Sequence, residues 1–244
     1  MIMLHRARIL GAFVIALAAS GCASTPSPDS VDQNDPYESF NRQVFSMNLS
    51  LDNNVALPVA KFYVHAVPEP ARDGVHNFLS NLDEPETFAN DILQGEVTRA
   101  CTTLGRFTIN STLGVGGLVD AATKFGIEGH SSDFGETLAV YGADEGPYLV
   151  LPVLGPSNPR DAAGDLVDIG LDPTTYITFR SSIYWMIGRG VLSVVDVRAR
   201  NIGTIEEIER SSVDLYATER SLYRQHRNAQ IHGGKPDLQN LPNM

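Results

Sequence analysis

His130, Ser131, Ser132 and Asp133 put an imidazole, two hydroxyls and a carboxylate into four consecutive residues, the groups an acyl-transfer triad would need. A working triad gathers its members from distant parts of a chain, so neighbours in sequence read as a polar loop. Asp83, Glu84 and Glu86 form the densest acidic group and have the chemistry of paired carboxylates or calcium ligands. Placed just before a helix, they are accounted for by the positive end of the helix dipole. Gly-Val-Gly-Gly at 114–117 lacks the third glycine of a dinucleotide loop and reads as a helix break. There is no G-x-S-x-G elbow, no H-E-x-x-H, no phosphate loop and no cysteine pair. The expectation is a protein with no catalytic residues, no metal site and no cofactor.

The one residue whose surroundings specify a covalent modification is Cys22. His5, Arg6 and Arg8 form a basic region, and Ile9 to Ala19 an apolar run, followed by the small residues Ala19, Ser20 and Gly21. This is the profile of a signal peptide, and the run is too short for the ~20 apolar residues that cross a bilayer. The small residues leading into Cys22 resemble the lipobox of bacterial lipoproteins, whose cysteine is diacylated before cleavage and then N-acylated. Ala19 departs mildly from the leucine favoured there. Each buried methylene contributes ~0.8 kcal/mol, so two or three acyl chains anchor a protein stably where one does not. Ala23 stands where an aspartate would hold an enteric lipoprotein in the inner membrane, so the expected location is the periplasmic face of an outer membrane.

The whole chain carries 18 basic and 29 acidic side chains. Such a surface repels phosphate backbones and anionic head groups, which makes nucleic acid an unsuitable partner and leaves lipid contact to apolar or covalent means. With Cys22 acylated, Cys101 has no disulfide partner; it falls on an apolar stripe with Val97 and Leu104 and is expected in the core.

These residues must be carried by helices. Residues 1–21 are the signal, 22–36 a Ser-, Pro- and Asp-rich tether, 37–232 the folded domain and 233–244 a mobile tail. Val75, Phe78, Leu79 and Leu82 recur with helical period from a start at Pro70; a second helix is expected over 84–94 and a third over 96–113. Residues 137–152 change character to two short apolar runs around Gly142 and Gly146, a hairpin-like excursion. Residues 173–199 are apolar on most sides but interrupted by Arg180, Gly188, Arg189 and Gly190, which suits a buried, interfacial or cavity-lining helix. Residues 205–227 read as one amphipathic helix with Ile205, Ile208, Leu215, Leu222 and Tyr223 on one side.

Several ordered segments carry a further likeness: NDPYESFNRQVFSMN from 34, PVAKFY from 58, VPEPARDGVHNFLSNLDEPETFANDILQGE from 67, TLGRFTINSTLGVGGLVDAA from 103 and DFGETLAVYGADEGPYLVLPVLGPSNPRDAAGD from 133. Together they strongly resemble the MlaA family, also called VacJ, from about Asn34 to Asp165, with weaker continuation through Tyr216 to Arg227. The resemblance implies a mainly helical, ring-shaped lipoprotein with a hairpin-like loop and an amphipathic central channel, set in the inner leaflet of the outer membrane. Family members take mislocalised phospholipids from the outer leaflet and pass them to a periplasmic lipid carrier, and some sit beside trimeric porins. On this likeness Phe40, Asn41, Phe45 and Asn48 are candidates for a segment sealing the channel, and Gly142 and Gly146 for hinges of the loop. The competing functions are an envelope scaffold lipoprotein and a phospholipase or esterase built on Ser131 and His130.

Overall fold

The computed structural model describes residues 34–176 and 182–233. The signal segment, Cys22, the tether before Asn34, Arg180 and the tail from residue 234 lie outside the described residues. The fold is mainly helical. In chain order it comprises α1 (Glu38–Leu51), a π-helical turn (Asp52–Ala56), α2 (Leu57–Ala66), α3 (Glu69–Gln94), α4 (Val97–Thr112) and the short α5 (Ala121–Lys124). There follow α6 (Phe134–Val140), β1 (Leu149–Leu151), β2 (Gly155–Ser157), α7 (Pro159–Leu171), a 3-10 turn (Pro173–Tyr176), α8 (Ser182–Arg200), α9 (Ile202–Ser211) and α10 (Leu215–Ile231).

Four sequence expectations change. The two helices expected on either side of residue 83 are one 26-residue helix, α3, with Pro85 inside it. Proline removes one backbone donor from a helix interior, so α3 persists because its flank is bonded to α4 and not through propensity alone. Asp83, Glu84 and Glu86 therefore sit mid-helix, and the dipole account of them does not apply. The helix expected over 205–227 is broken into α9 and α10, because the Asp214 side chain accepts from the Ala217 N–H at 3.2 Å and starts a new helix there. The hairpin lies downstream of the glycine-flanked segment. Asp133 caps α6 through the Glu136 N–H, so Thr137 to Val140 are helical, and the antiparallel pair is Leu149–Leu151 against Gly155–Ser157. Finally, Asn34 to Pro36, assigned to the tether, belong to the fold: Asp35 is 0% exposed.

The largest departure concerns burial. Among the described residues the buried set is dominated by polar and charged side chains, Asn41, Glu84, Asp91, Arg106, Asp161 and Arg227 among them, while its apolar members include several alanines. Large apolar side chains stand outside: Phe62 is 70% exposed and Tyr184 75%, with Ile183, Ile187, Val191 and Val194 on the same helix as Tyr184 also exposed. Cys101, Val97 and Leu104 are all exposed, which corrects the expectation of a core cysteine. The stripe is real, but the buried face of α4 is the other one, Ala100, Thr103, Arg106 and Asn110.

Candidate functional site

Asn41 and Asn48 lie two turns apart on α1 and bind the outer edge of β1. Asn41 Nδ2 donates to the Tyr148 carbonyl at 3.0 Å and to Asp35 Oδ1 at 2.7 Å, while its Oδ1 accepts from the Val150 N–H at 3.0 Å. Asn48 repeats the pattern on Leu151 O at 2.9 Å and the Val153 N–H at 2.8 Å. Seven residues is nearly two helical turns, so both amides point the same way, and they satisfy backbone groups within and flanking β1. Phe40 and Phe45 pack on the small core of Val44, Tyr148, Val150 and Tyr216, with Phe45 and Tyr216 rings edge to face at 5.6 Å. The Tyr216 hydroxyl donates to Asp35, which also accepts from Arg220 Nη1 at 2.7 Å. All four residues marked on α1 thus meet the hairpin or its core.

Gly142 and Gly146 have φ of 85° and 70°, the left-handed region that side chains disfavour. Gly142 ends α6, and Gly146 precedes β1 with its carbonyl held by Asn34 Nδ2 at 2.8 Å. They bound the link between α6 and the hairpin and not the hairpin's own turn.

Next to this corner is a cavity of about 520 Å³. Its walls come from α1 (Phe45, Asn48, Leu49), the hairpin (Val153, Pro156), α9 (Ile205, Ile208) and α10 (Leu215, Leu222, Tyr223). Every apolar residue of the stripe read along 205–227 is here: the break at Asp214 folds one stripe into two walls. Polar groups enter through Asp52, Arg198, Glu209, Glu219 and His226, which makes the cavity amphipathic. Burial alone pushes the Glu219 carboxyl above its usual range. No periodicity argument marks Arg198 or Asp52, because the partner that gives each its meaning lies 146 residues away.

A second cavity, about 340 Å³, is polar and lies between α3, α4 and the loop before α6. Arg106 Nε donates to Glu84 at 3.0 Å, and its Nη2 to Asp120 at 3.1 Å. Burial raises the Glu84 pKa against the pull of Arg106. For Asp120 burial works upward, but hydrogen bonds from Thr123, Arg106 and Asn110 outweigh it and hold the carboxyl at about 2. Asp83 pairs with Arg189 at 2.6 Å. Glu86 is pushed to about 8, chiefly by burial and then by Asp168 and Asp83.

The four-residue group at 130–133 is dispersed over separate partners. His130 Nε2 sits 2.9 Å from Asp91, Ser132 accepts from Gln94 Nε2 at 2.7 Å, and Asp133 caps α6 and receives Arg227 at 2.5 and 2.7 Å. Among the described residues no serine hydroxyl is hydrogen-bonded to His130, and no group of three metal-ligating side chains is present.

The family model for the MlaA lipoprotein matches residues 33–230, spanning both cavities and the hairpin. The chain belongs to the MlaA lipoprotein family. Similar proteins include the intermembrane phospholipid transport system lipoprotein MlaA of Haemophilus influenzae, 34% identical over 93% of this chain and 91% of that protein. The protein of the same description from Escherichia coli K12 is 34% identical over 91% of this chain and 88% of its own length. A solved structure described as the structural basis for maintenance of bacterial outer membrane lipid asymmetry superposes with a TM-score of 0.71. It is 36% identical and covers 79% of this chain and 96% of its own.

Membership fits the inverted burial. No described helix is long and apolar enough to cross a membrane, yet α8 offers a whole apolar face, with Arg189, Asp196 and Arg198 turned to the interior. An exposed apolar face of this kind, on a helix whose charges turn inward, suits contact with apolar surroundings.

Proposed function

We propose that this chain is a passive conduit that removes mislocalised phospholipids from the outer leaflet of an outer membrane and hands them to a periplasmic lipid carrier. The observation that carries this reading is the coincidence of an apolar exterior, made of helices that do not span, with a cavity that is apolar on its walls and charged at a few points. A phospholipid leaving a bilayer needs both surfaces along one path, since its tails and head group cannot be desolvated by the same wall. The acylated Cys22 holds the ring-shaped domain to the periplasmic face, and the amphipathic cavity is part of its central channel. The α1 segment with Phe40, Asn41, Phe45 and Asn48 braces the hairpin and seals the channel from the inner leaflet, while Gly142 and Gly146 let the loop between α6 and β1 move. A trimeric porin beside the chain would give the exterior a protein neighbour in place of lipid. No cofactor or covalent step is needed; direction comes from the partners.

The test is mass analysis of outer-leaflet lipid in cells lacking the chain and in cells carrying Cys22→Ala. Surface phospholipid is expected to accumulate in both, with intact lipid recovered on the carrier in the unaltered cells. Unchanged surface lipid in both strains would leave a scaffold as the better description, and released fatty acid that depends on Ser131 would point to a lipase.

A further inference from the structure

Arg198 is 6% exposed and lines the amphipathic cavity from the end of α8. Its Nε and Nη2 donate to the two oxygens of Asp52 at 2.8 and 2.9 Å, a bidentate pair that fixes the plane of the guanidinium. The remaining nitrogen, Nη1, is buried and has no hydrogen-bond partner among the described residues. Buried donors are nearly always satisfied, and leaving one bare costs a protein more than forming the bond would gain it. Asp52 opens a π-helical turn between α1 and α2, an irregularity that recurs at functional sites. Across the same cavity, Glu219 is half-buried on α10 and makes no hydrogen bond or ion pair among the described residues.

A buried guanidinium edge without a partner among the described residues and a carboxylate without a cation, on two residues that line one cavity, have a common complement, which reaches Nη1 once the side chains covering it give way. We infer that Arg198 and Glu219 form a head-group station for a zwitterionic, amine-bearing phospholipid. Arg198 Nη1 donates to a phosphoryl oxygen, Glu219 accepts from the ammonium group, and the acyl chains lie along Leu49, Ile208 and Leu222. Because Asp52 already neutralises Arg198, the station does not attract anions by net charge. A head group that is only anionic meets the Glu209 and Glu219 carboxylates with like charge, so the station discriminates against it. The inference rests on the conduit reading and adds to it the class of lipid and the residues that choose it.

The full acylated protein in detergent micelles is incubated with phosphatidylethanolamine, phosphatidylglycerol and diacylglycerol of identical chains, and retained lipid is counted by native mass spectrometry. Phosphatidylethanolamine is expected to be retained about tenfold over the other two, the size of one charge-assisted hydrogen bond. Arg198→Lys, which keeps the charge and loses the second donor edge, should bring phosphatidylethanolamine down to the diacylglycerol level. Glu219→Gln should equalise the two phospholipids. If thermal melting shows that the buried Arg198 variant is unfolded, Glu219→Gln carries the test, since it breaks no bond within the fold. Equal retention of all three lipids by the unaltered protein, or an unchanged ratio in Glu219→Gln, overturns the station while leaving a conduit intact. Displacement of phosphatidylethanolamine by millimolar inorganic phosphate would also overturn it, by making the site one for free anions. Retention of no lipid at all would remove the conduit as well.

Discussion

The α3–α4 pair buries Glu84, Asp91, Thr103 and Arg106 against one another, whereas the corner of α1, the hairpin and α10 buries Val44, Tyr148, Val150 and Tyr216. In the first region the polar atoms face in and bond across the seam, at 3.0 Å for Arg106 to Glu84 and 2.7 Å for Thr103 to Asp91. In the second an aromatic cluster does the packing and two asparagines supply the missing strand partner. The difference follows from what lies outside each. The α4 face beyond the polar seam carries Val97, Cys101 and Leu104, so apolar surface is used for the surroundings and the charges are left for the interior. The corner keeps its apolar groups inside, and Phe45 and Tyr223, packed against that cluster, continue it to the wall of the amphipathic cavity.

Breaking the polar seam should have the largest effect. Arg106→Met strands Glu84 and Asp120, and a loss of about 3–5 kcal/mol is expected in denaturant unfolding of the micelle-bound protein. A loss under about 1 kcal/mol would mean that the seam is solvated and that apolar packing holds both regions. In the corner, Asn41→Ala leaves the buried Val150 N–H without its acceptor and should cost about 1–3 kcal/mol, with faster hydrogen exchange at Val150. Slow exchange retained there would transfer the role of strand partner to water.

A smaller effect separates the regions by pH. Glu86 titrates at about 8 in the fold against 4.5 in its ordinary state, because burial disfavours its charge. Its folded pKa is raised, so the stability associated with its protonated form is complete below pH 4.5 and is lost as pH rises through 8. Glu86→Gln should therefore melt with the unaltered protein near pH 4 and above it near pH 9; parallel melting curves at both pH values would place Glu86 in solvent. The least effect on stability is expected on the exterior. Val97→Ser and Leu104→Ser should stay within about 0.5 kcal/mol of the unaltered protein, yet weaken flotation with vesicles when the acyl anchor is removed by Cys22→Ala. Destabilisation by either would show that the stripe packs on protein.

Much of the helical architecture follows from local pattern. The 3.6-residue period of Val75, Phe78, Leu79 and Leu82 marks α3, and the ordered segments from Asn34 to Asp165 carry the family likeness without any coordinates. Asp133 and Asp214 show where such reading stops. Asp214 sits among residues that continue a periodic pattern and Asp133 in a stretch that reads as a polar loop, and each redirects the chain by capping a new helix through one side-chain bond. Local pattern also left open which way an apolar stripe faces: Val97, Cys101 and Leu104 form the same stripe whether the neighbour is a core or a lipid tail. Ile205, Ile208, Leu215 and Leu222 were visible as one face, but only the turn at residues 212–214 makes that face two walls of a cavity.

The sequence by itself determined that the chain is helical, bears a lipobox-like cysteine and belongs with the MlaA lipoproteins, because these depend on residues close together along the chain. Tertiary structure alone decided that charges go inside and that Arg198, on the cavity wall, keeps one buried donor without a partner among the described residues. Those outcomes depend on pairs such as Asp52 with Arg198, 146 residues apart, whose energies exist only once the chain has closed.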